Sequence, residues 1–107
     1  MLFRSLAGLG YRRIGLIAPV VEQEAPIEQR WRQAGFLPTV WTHDLATQDS
    51  GMVQAAEERI AEHRLQAVVL DYVGHPEVQV AALRAALPIP LIDLGQLALQ
   101  ALAITLT

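Results

Sequence analysis

Polar side chains of the kind that bind or transform ligands follow two apolar runs of the chain. Glu22 and Gln23 come after the first run, and Asp71 and His75 come after the second, with Gly74 beside the imidazole. A carboxylate next to a histidine can orient the ring as a general base, and a pair of polar side chains in a loop can hold a ligand. The pattern therefore favours either proton transfer or ligand binding at these two loops.

Each of these side chains also has a purely structural interpretation. Glu22 would favour the start of a following helix through the helix dipole, Asp71 would satisfy loop amides, and His75 would cap a helix. The residues alone leave both interpretations open. The candidate ligand-binding residues share a position just after a strand-like run, and they are Glu22, Gln23, Gly74, His75 and His43.

Three histidines, His43, His63 and His75, raise the question of a metal site. Their spacing matches no His-x-x-x-His or similar ligand pair, and the chain contains no cysteine, so we expect neither a metal site nor a disulfide. No glycine-rich phosphate fingerprint follows a strand, since Gly8 and Gly10 precede one. We therefore expect no cofactor.

The composition indicates a single domain over residues 1–107. Charged residues make up only 18% of the chain and residues 94–107 carry none, which predicts either a well-buried half or a surface that meets another subunit. The formal net charge is −3 and all eight basic residues are arginines, which leaves no electrostatic footprint for nucleic acid. The start lacks a long apolar segment and the uncharged end is too short for a membrane helix. We therefore expect a cytoplasmic protein without a membrane partner.

Helices and strands are predicted to alternate along the chain. Continuous apolar runs predict buried parallel strands at residues 14–18, 36–42, 67–70 and 88–93, and helical spacing predicts helices that begin near residues 2, 24, 51, 76 and 95. Prolines in the second and fourth strands place both at sheet edges, because proline cannot donate to a ladder. We predict a three-layer, flavodoxin/Rossmann-like α/β fold, whose four-stranded parallel sheet has the order 2-1-3-4.

This strand order would bring the candidate residues to one edge of the sheet. The carboxyl ends of the first and third strands meet at the topological switch point, where open α/β sheets bind ligands. The loops that carry Glu22 and Asp71 would then adjoin each other, and His43 would follow the second strand at the same edge. Any function is expected at this edge.

Three segments together resemble the AroM family. They read IGLIAPVVEQ at residues 14–23, with Pro26 and Trp31 following, then VVLDYVGH at residues 68–75, and IPLI at residues 89–92 before the apolar end. The family pattern has a VGVIVP strand, a Glu/Gln pair, an LDCxG[YF] segment and a VPVLL strand. Family members are longer, so we expect the chain to correspond to their second half.

The resemblance implies a relation to aspartate/glutamate racemases, in which two related α/β lobes each offer a cysteine across a cleft. Tyr72 stands where the family has that cysteine, and a phenol is a much weaker acid than a thiol. This difference, with only one lobe in the chain, argues against two-base racemisation. Asp71, Tyr72 and His75 remain catalytic candidates for a site that forms between two lobes.

Several functions follow from these observations. The first is a non-catalytic or vestigial lobe that binds a small anionic ligand, such as a carboxylate, through backbone N–H groups at helix N-termini. The alternative is a racemase- or isomerase-like enzyme that acts on an amino acid or carboxylate between two lobes. An interaction or dimerisation lobe is a further possibility, and the opening GYRRIGLI also resembles effector domains of the LacI type. A homodimer or a separate partner lobe is the expected assembly.

Overall fold

A computed structural model describes residues 8, 10–43, 51–71 and 77–94 of the chain. Its helices and strands alternate, as predicted. They are β1 (Arg13–Ala18), α1 (Glu24–Gln33), β2 (Leu37–Thr42), α2 (Gly51–His63), β3 (Ala67–Leu70), α3 (Glu77–Ala86) and β4 (Leu91–Asp93), with a short 3-10 turn at Val21–Gln23 before α1.

The four strands form one parallel sheet in the order β2-β1-β3-β4, which confirms the predicted topology. β1 lies between β2 and β3, with Leu16 opposite Val40 on one side and Val69 on the other. Its residues from Ile14 to Ala18 are all buried, as is the whole of β3. The topological switch point, where the order of the strands reverses, therefore lies between β1 and β3 at the centre of the sheet, as the sequence predicted.

Apolar side chains pack on both faces of the sheet. α1 covers one face with Ile27 and Trp31, which join a cluster from alternate strand positions. α2 and α3 cover the other face, and their buried residues are Met52, Ala56, Ile60, Val80 and Leu83. Covering both faces explains why the central strands are apolar along their length and do not alternate with polar residues.

Gly35 ends α1 in the left-handed backbone region, with φ of 97°. The N–H of Gly35 donates to the carbonyl of Arg32 at 3.1 Å, and the N–H of Phe36 donates to that of Trp31 at 3.2 Å. This pair of bonds is the Schellman motif, and the edge-to-face contact of the Trp31 and Phe36 rings, at 5.2 Å, is its usual apolar partner. A glycine directly after a helical run predicts such a C-terminal cap, and the structure confirms it at Gly35.

Gly15 allows a tryptophan to lie directly against β1. A Cβ at this position would come within 2.7 Å of the Trp41 ring and 2.8 Å of the Leu65 side chain. Trp41 is buried there, and the guanidinium of Arg59 lies 5.3 Å from its ring centre. The absence of a side chain at Gly15 thus fixes how β2 and its tryptophan pack on the central strand.

Three details of the sequence prediction are wrong. Ala34 follows Ile27 and Trp31 at helical spacing, which predicts a place on the buried face of α1, but it is exposed because it is the cap residue at which the chain turns away from the sheet. The second strand begins at Leu37 and not at residue 36, because the N–H of Phe36 closes the cap of α1. The fourth strand covers Leu91–Asp93 and not residues 88–93, since Pro88 and Pro90 have no N–H to donate.

Of the predicted helix at residues 2–9 only residue 8 is described, and it is helical. The predicted helix at residues 95–106 and the polar residues 49, 50, 74 and 75, which could cap the helices after them, lie outside the described residues.

Candidate functional site

The loop after β1 carries Glu22 and Gln23 at the carboxyl edge of the sheet. Both side chains are exposed in the 3-10 turn, and Gln23 donates its N–H to the carbonyl of Val20 at 3.1 Å. The turn leads straight into Glu24, the first residue of α1, and no side chain caps the N-terminus of either the turn or the helix. Glu22 and Gln23 are thus exposed at this edge, and their part in binding a ligand stays a prediction.

Asp71 lies at the end of β3 and is tied to α1. Its Oδ2 accepts a hydrogen bond from the buried indole Nε1 of Trp31 at 2.8 Å and a second from the guanidinium of Arg30. The side chain of Asp71 is 21% exposed and that of Arg30 is 51% exposed. The carboxylate therefore anchors α1 to the sheet, and whether it also satisfies loop amides stays a prediction, since residues 72–76 lie outside the described residues.

Glu24 and Thr42 form a second link at this edge, which the sequence analysis missed. The hydroxyl of Thr42, at the end of β2, donates to a carboxylate oxygen of Glu24 at the start of α1. The only sequence signal for this bond is a polar residue at the last position of a strand beside a helix start. Glu24, unlike Glu22, is already engaged by a neighbour.

His43 follows β2 on the opposite face of the sheet from Asp71. Its N–H donates to the carbonyl of Ala18 at 3.0 Å, which continues the β1–β2 ladder. Because Thr42 points to the α1 face and strand side chains alternate, His43 points to the α2 face. Its Nε2 is buried and has no hydrogen-bond partner within the part of the chain that the structure describes. The structure therefore does not bring His43 and Asp71 together on one face.

Tyr72, Gly74 and His75 lie outside the described residues. Their proximity to Asp71, and with it the predicted orientation of an imidazole by that carboxylate, stays a prediction. One oxygen of Asp71 accepts hydrogen bonds from two donors. This carboxylate therefore has a structural role, whether or not it also acts as a base. The described geometry at this edge offers exposed polar groups and a helix entry for binding.

Across residues 8, 10–43, 51–71 and 77–94, no three histidine, aspartate or glutamate side chains are grouped so as to hold a metal ion. None of the helices in this part of the chain has the length and apolar character needed to cross a membrane.

Comparison with protein-family models gives a match over residues 3–106 to the family described as AroM protein. The match covers nearly the whole chain, including all of the strands described above. Comparison with the curated proteins gives no match.

Proposed function

The chain belongs to the AroM family, and on that premise we propose that it is a non-catalytic lobe that binds a small anionic ligand at the carboxyl edge of the β1–β3 pair. The ligand class is a small carboxylate. In this proposal Glu22 and Gln23 line the site beside the start of α1, and Gly74 and His75 approach it from the loop after β3.

The entry into α1 is the observation that carries the proposal. The N–H groups in the first turn of a helix have no acceptor within the helix, and the helix dipole adds positive potential there. No side chain caps this helix or the turn before it. The helical run begins with the 3-10 turn, where the N–H groups of Gln23 and Glu24 donate to the carbonyls of Val20 and Val21. A small anion at the switch point would therefore supply acceptors to the N–H groups of Val21 and Glu22 at the start of the turn, at the edge where open α/β sheets bind ligands.

The bonds of Asp71 favour binding over catalysis. A general base has to be free to accept a proton from a substrate. Asp71 Oδ2 already accepts from Trp31 and Arg30, so of its two oxygens only Oδ1 could take that role. This arrangement supports a lobe that positions a ligand and does not remove its proton.

Glu22→Gln tests the proposed site by calorimetric titration with succinate and with aspartate. The Glu22 carboxylate repels a dianion at the helix entry, so removing its charge should tighten succinate binding about threefold, the effect of one charge near a helix terminus. If Glu22 holds the ammonium group of an amino acid, the same variant weakens aspartate binding. Glu57→Gln, on the exposed face of α2, is the matched control and should change neither affinity. Equal affinities in all three proteins would overturn the proposal.

Catalysis is tested separately, by proton exchange. Aspartate incubated with the chain in D₂O should keep its alpha proton in the NMR spectrum. Exchange that depends on the protein and is lost in Asp71→Asn would replace the binding proposal with the racemase-like alternative.

Exposed valines favour a second candidate, in which the site is completed by another lobe. Val20 is 47% exposed, Val21 66% and Val78 74%, and all three follow the carboxyl ends of β1 and β3. Apolar side chains around a polar ligand site are typical of a surface that is covered on assembly. A homodimer, or a partner lobe of the same fold, would cover these valines and enclose the ligand.

A further inference from the structure

A cleft of about 250 Å³ lies at the amino edge of the sheet, on the side opposite to the proposed ligand site. It is lined by Arg13, Arg32, Leu37, Pro38, Thr39, His63 and Leu65. We propose that this cleft is a second ligand site, which binds a small oxyanion attached to a short apolar group. The proposal concerns residues that have no part in the site at the carboxyl edge.

The charges of the residues that line the cleft predict a negatively charged ligand. Arg13 and Arg32 are cationic, His63 is a third basic group, and none of the lining residues is acidic. The whole chain carries a formal net charge of −3, so this basic lining runs against the average of the molecule. Arginine matches carboxylate and phosphate oxygens with paired N–H donors, and the Thr39 hydroxyl can add another.

The apolar residues of the cleft predict that the ligand also carries an apolar group. Leu37 is 48% exposed at the start of β2 and supplies most of the apolar contact, because Pro38 and Leu65 beside it are largely buried. Pockets that bind small molecules combine such a surface with a few polar groups, in volumes of roughly 300–1,000 Å³. A cleft just below that range fits one small ring or short chain that carries a single anionic group.

Arg13 distinguishes this proposal from a simpler explanation of the basic residues. Arg32 and His63 lie in the last turns of α1 and α2, where a cation complements the helix dipole. Each also has a carboxylate nearby, since Arg32 pairs with Glu28 at 2.9 Å and the His63 Nε2 lies 4.0 Å from Glu62. Arg13 begins a strand, and it has no ion pair among the described residues. Nothing within the described part of the chain gives its guanidinium a structural task that would explain its place beside two other basic groups.

The test is an amide-resolved NMR titration of the chain with phenyl phosphate, inorganic phosphate and benzoate. Phenyl phosphate should shift the amide signals of Thr39 and Leu65 and bind more tightly than inorganic phosphate, because only the former fills the apolar side. Benzoate shows whether a carboxylate replaces the phosphate. Arg13→Gln should weaken binding about tenfold, the effect of losing one charged hydrogen bond.

Arg12→Gln is the matched control, since it removes the same charge from the neighbouring exposed residue, which does not line the cleft. Both backbone N–H groups are held by the Gln66 Oε1, at 2.7 and 2.9 Å, so neither substitution should disturb the start of β1. Equal weakening by Arg12→Gln and Arg13→Gln would mean general charge attraction and would overturn the proposal, as would unshifted Thr39 and Leu65 signals at millimolar ligand. The amides of Glu22 and Gln23 report the other site independently.

Discussion

Asp71 shows at the scale of one residue how a polar group at the end of a strand can serve the fold. Its Oδ2 satisfies the N–H of Trp31, an indole that is fully buried. A buried donor without an acceptor costs roughly 1–3 kcal/mol. The accompanying bond from Arg30 is half exposed and contributes less, because water screens it.

Asp71→Ala should therefore lower the free energy of unfolding by about 2 kcal/mol, mainly through the orphaned indole N–H. Urea denaturation measures the change. Trp31→Phe removes the donor, and the double variant should cost less than the sum of the two single variants. Glu57→Gln, which removes an exposed carboxylate from α2, should leave stability within about 0.5 kcal/mol of the wild type. An Asp71→Ala protein of unchanged stability that no longer binds ligand would make Asp71 a binding residue.

Gly15, in contrast to Asp71, stabilises the fold because it has no side chain. Gly15→Ala should destabilise the fold by about 1–3 kcal/mol, because the new methyl group would overlap the Trp41 ring and Leu65. Thermal unfolding followed by circular dichroism measures the loss. Gly8→Ala is the control, as no atom of the described residues lies within 4 Å of a Cβ at that position. Equal melting temperatures for Gly15→Ala and Gly8→Ala would contradict the packing described for Trp41.

At the scale of elements, the ends of two helices use the same motif with different residues. α1 ends at Gly35 and α2 ends before Arg64, and both residues have positive φ, 97° and 53°. The N–H of Leu65 donates to the carbonyl of Ile60 at 3.1 Å, as Phe36 does to Trp31 in α1. The left-handed region suits glycine and costs a residue with a Cβ roughly 1–2 kcal/mol.

Substitutions at these two ends should change stability with opposite signs. Arg64→Gly should raise the free energy of unfolding by about 1 kcal/mol, and Gly35→Ala should lower it by about the same amount. Both values come from urea denaturation. Arg64→Ala separates the backbone effect from the loss of charge, because alanine keeps the Cβ and should not stabilise. A stabilised Arg64→Ala would show that charge, and not backbone conformation, sets the cost at Arg64.

The elements that the sequence predicted well are those with local signals. Gly35 follows a helical run directly, and Pro38 and Pro90 carry their edge preference in their own chemistry, so caps and strand order were predictable. The bond between Trp31 and Asp71 joins residues 40 positions apart, and no local pattern records it. The basic cleft was missed for the same reason, since Arg13, Thr39 and His63 meet only once the sheet has formed.

At the scale of the whole molecule, the two edges of the sheet present different surfaces. The carboxyl edge combines Glu22 and Gln23 with exposed valines, and the amino edge combines arginines with Leu37. Parallel strands create this polarity, because all helices begin at one edge and end at the other. An assembly that completes the proposed ligand site would have to form through the carboxyl edge.

Light scattering on the purified chain tests this assembly. We expect twice the 11.7 kDa mass of one chain, since a dimer through the carboxyl edge would bury Val20, Val21 and Val78. Val21→Glu and Val78→Glu place charges in that surface and should each give a monomer, because an unpaired charge in an apolar contact is costly. Leu37→Glu, at the amino edge, exchanges a similarly exposed apolar residue and should leave the dimer intact. If Leu37→Glu gave a monomer and the valine variants stayed dimeric, the interface would lie at the amino edge and not at the carboxyl edge. A monomeric wild type would leave the proposed ligand site on a single lobe.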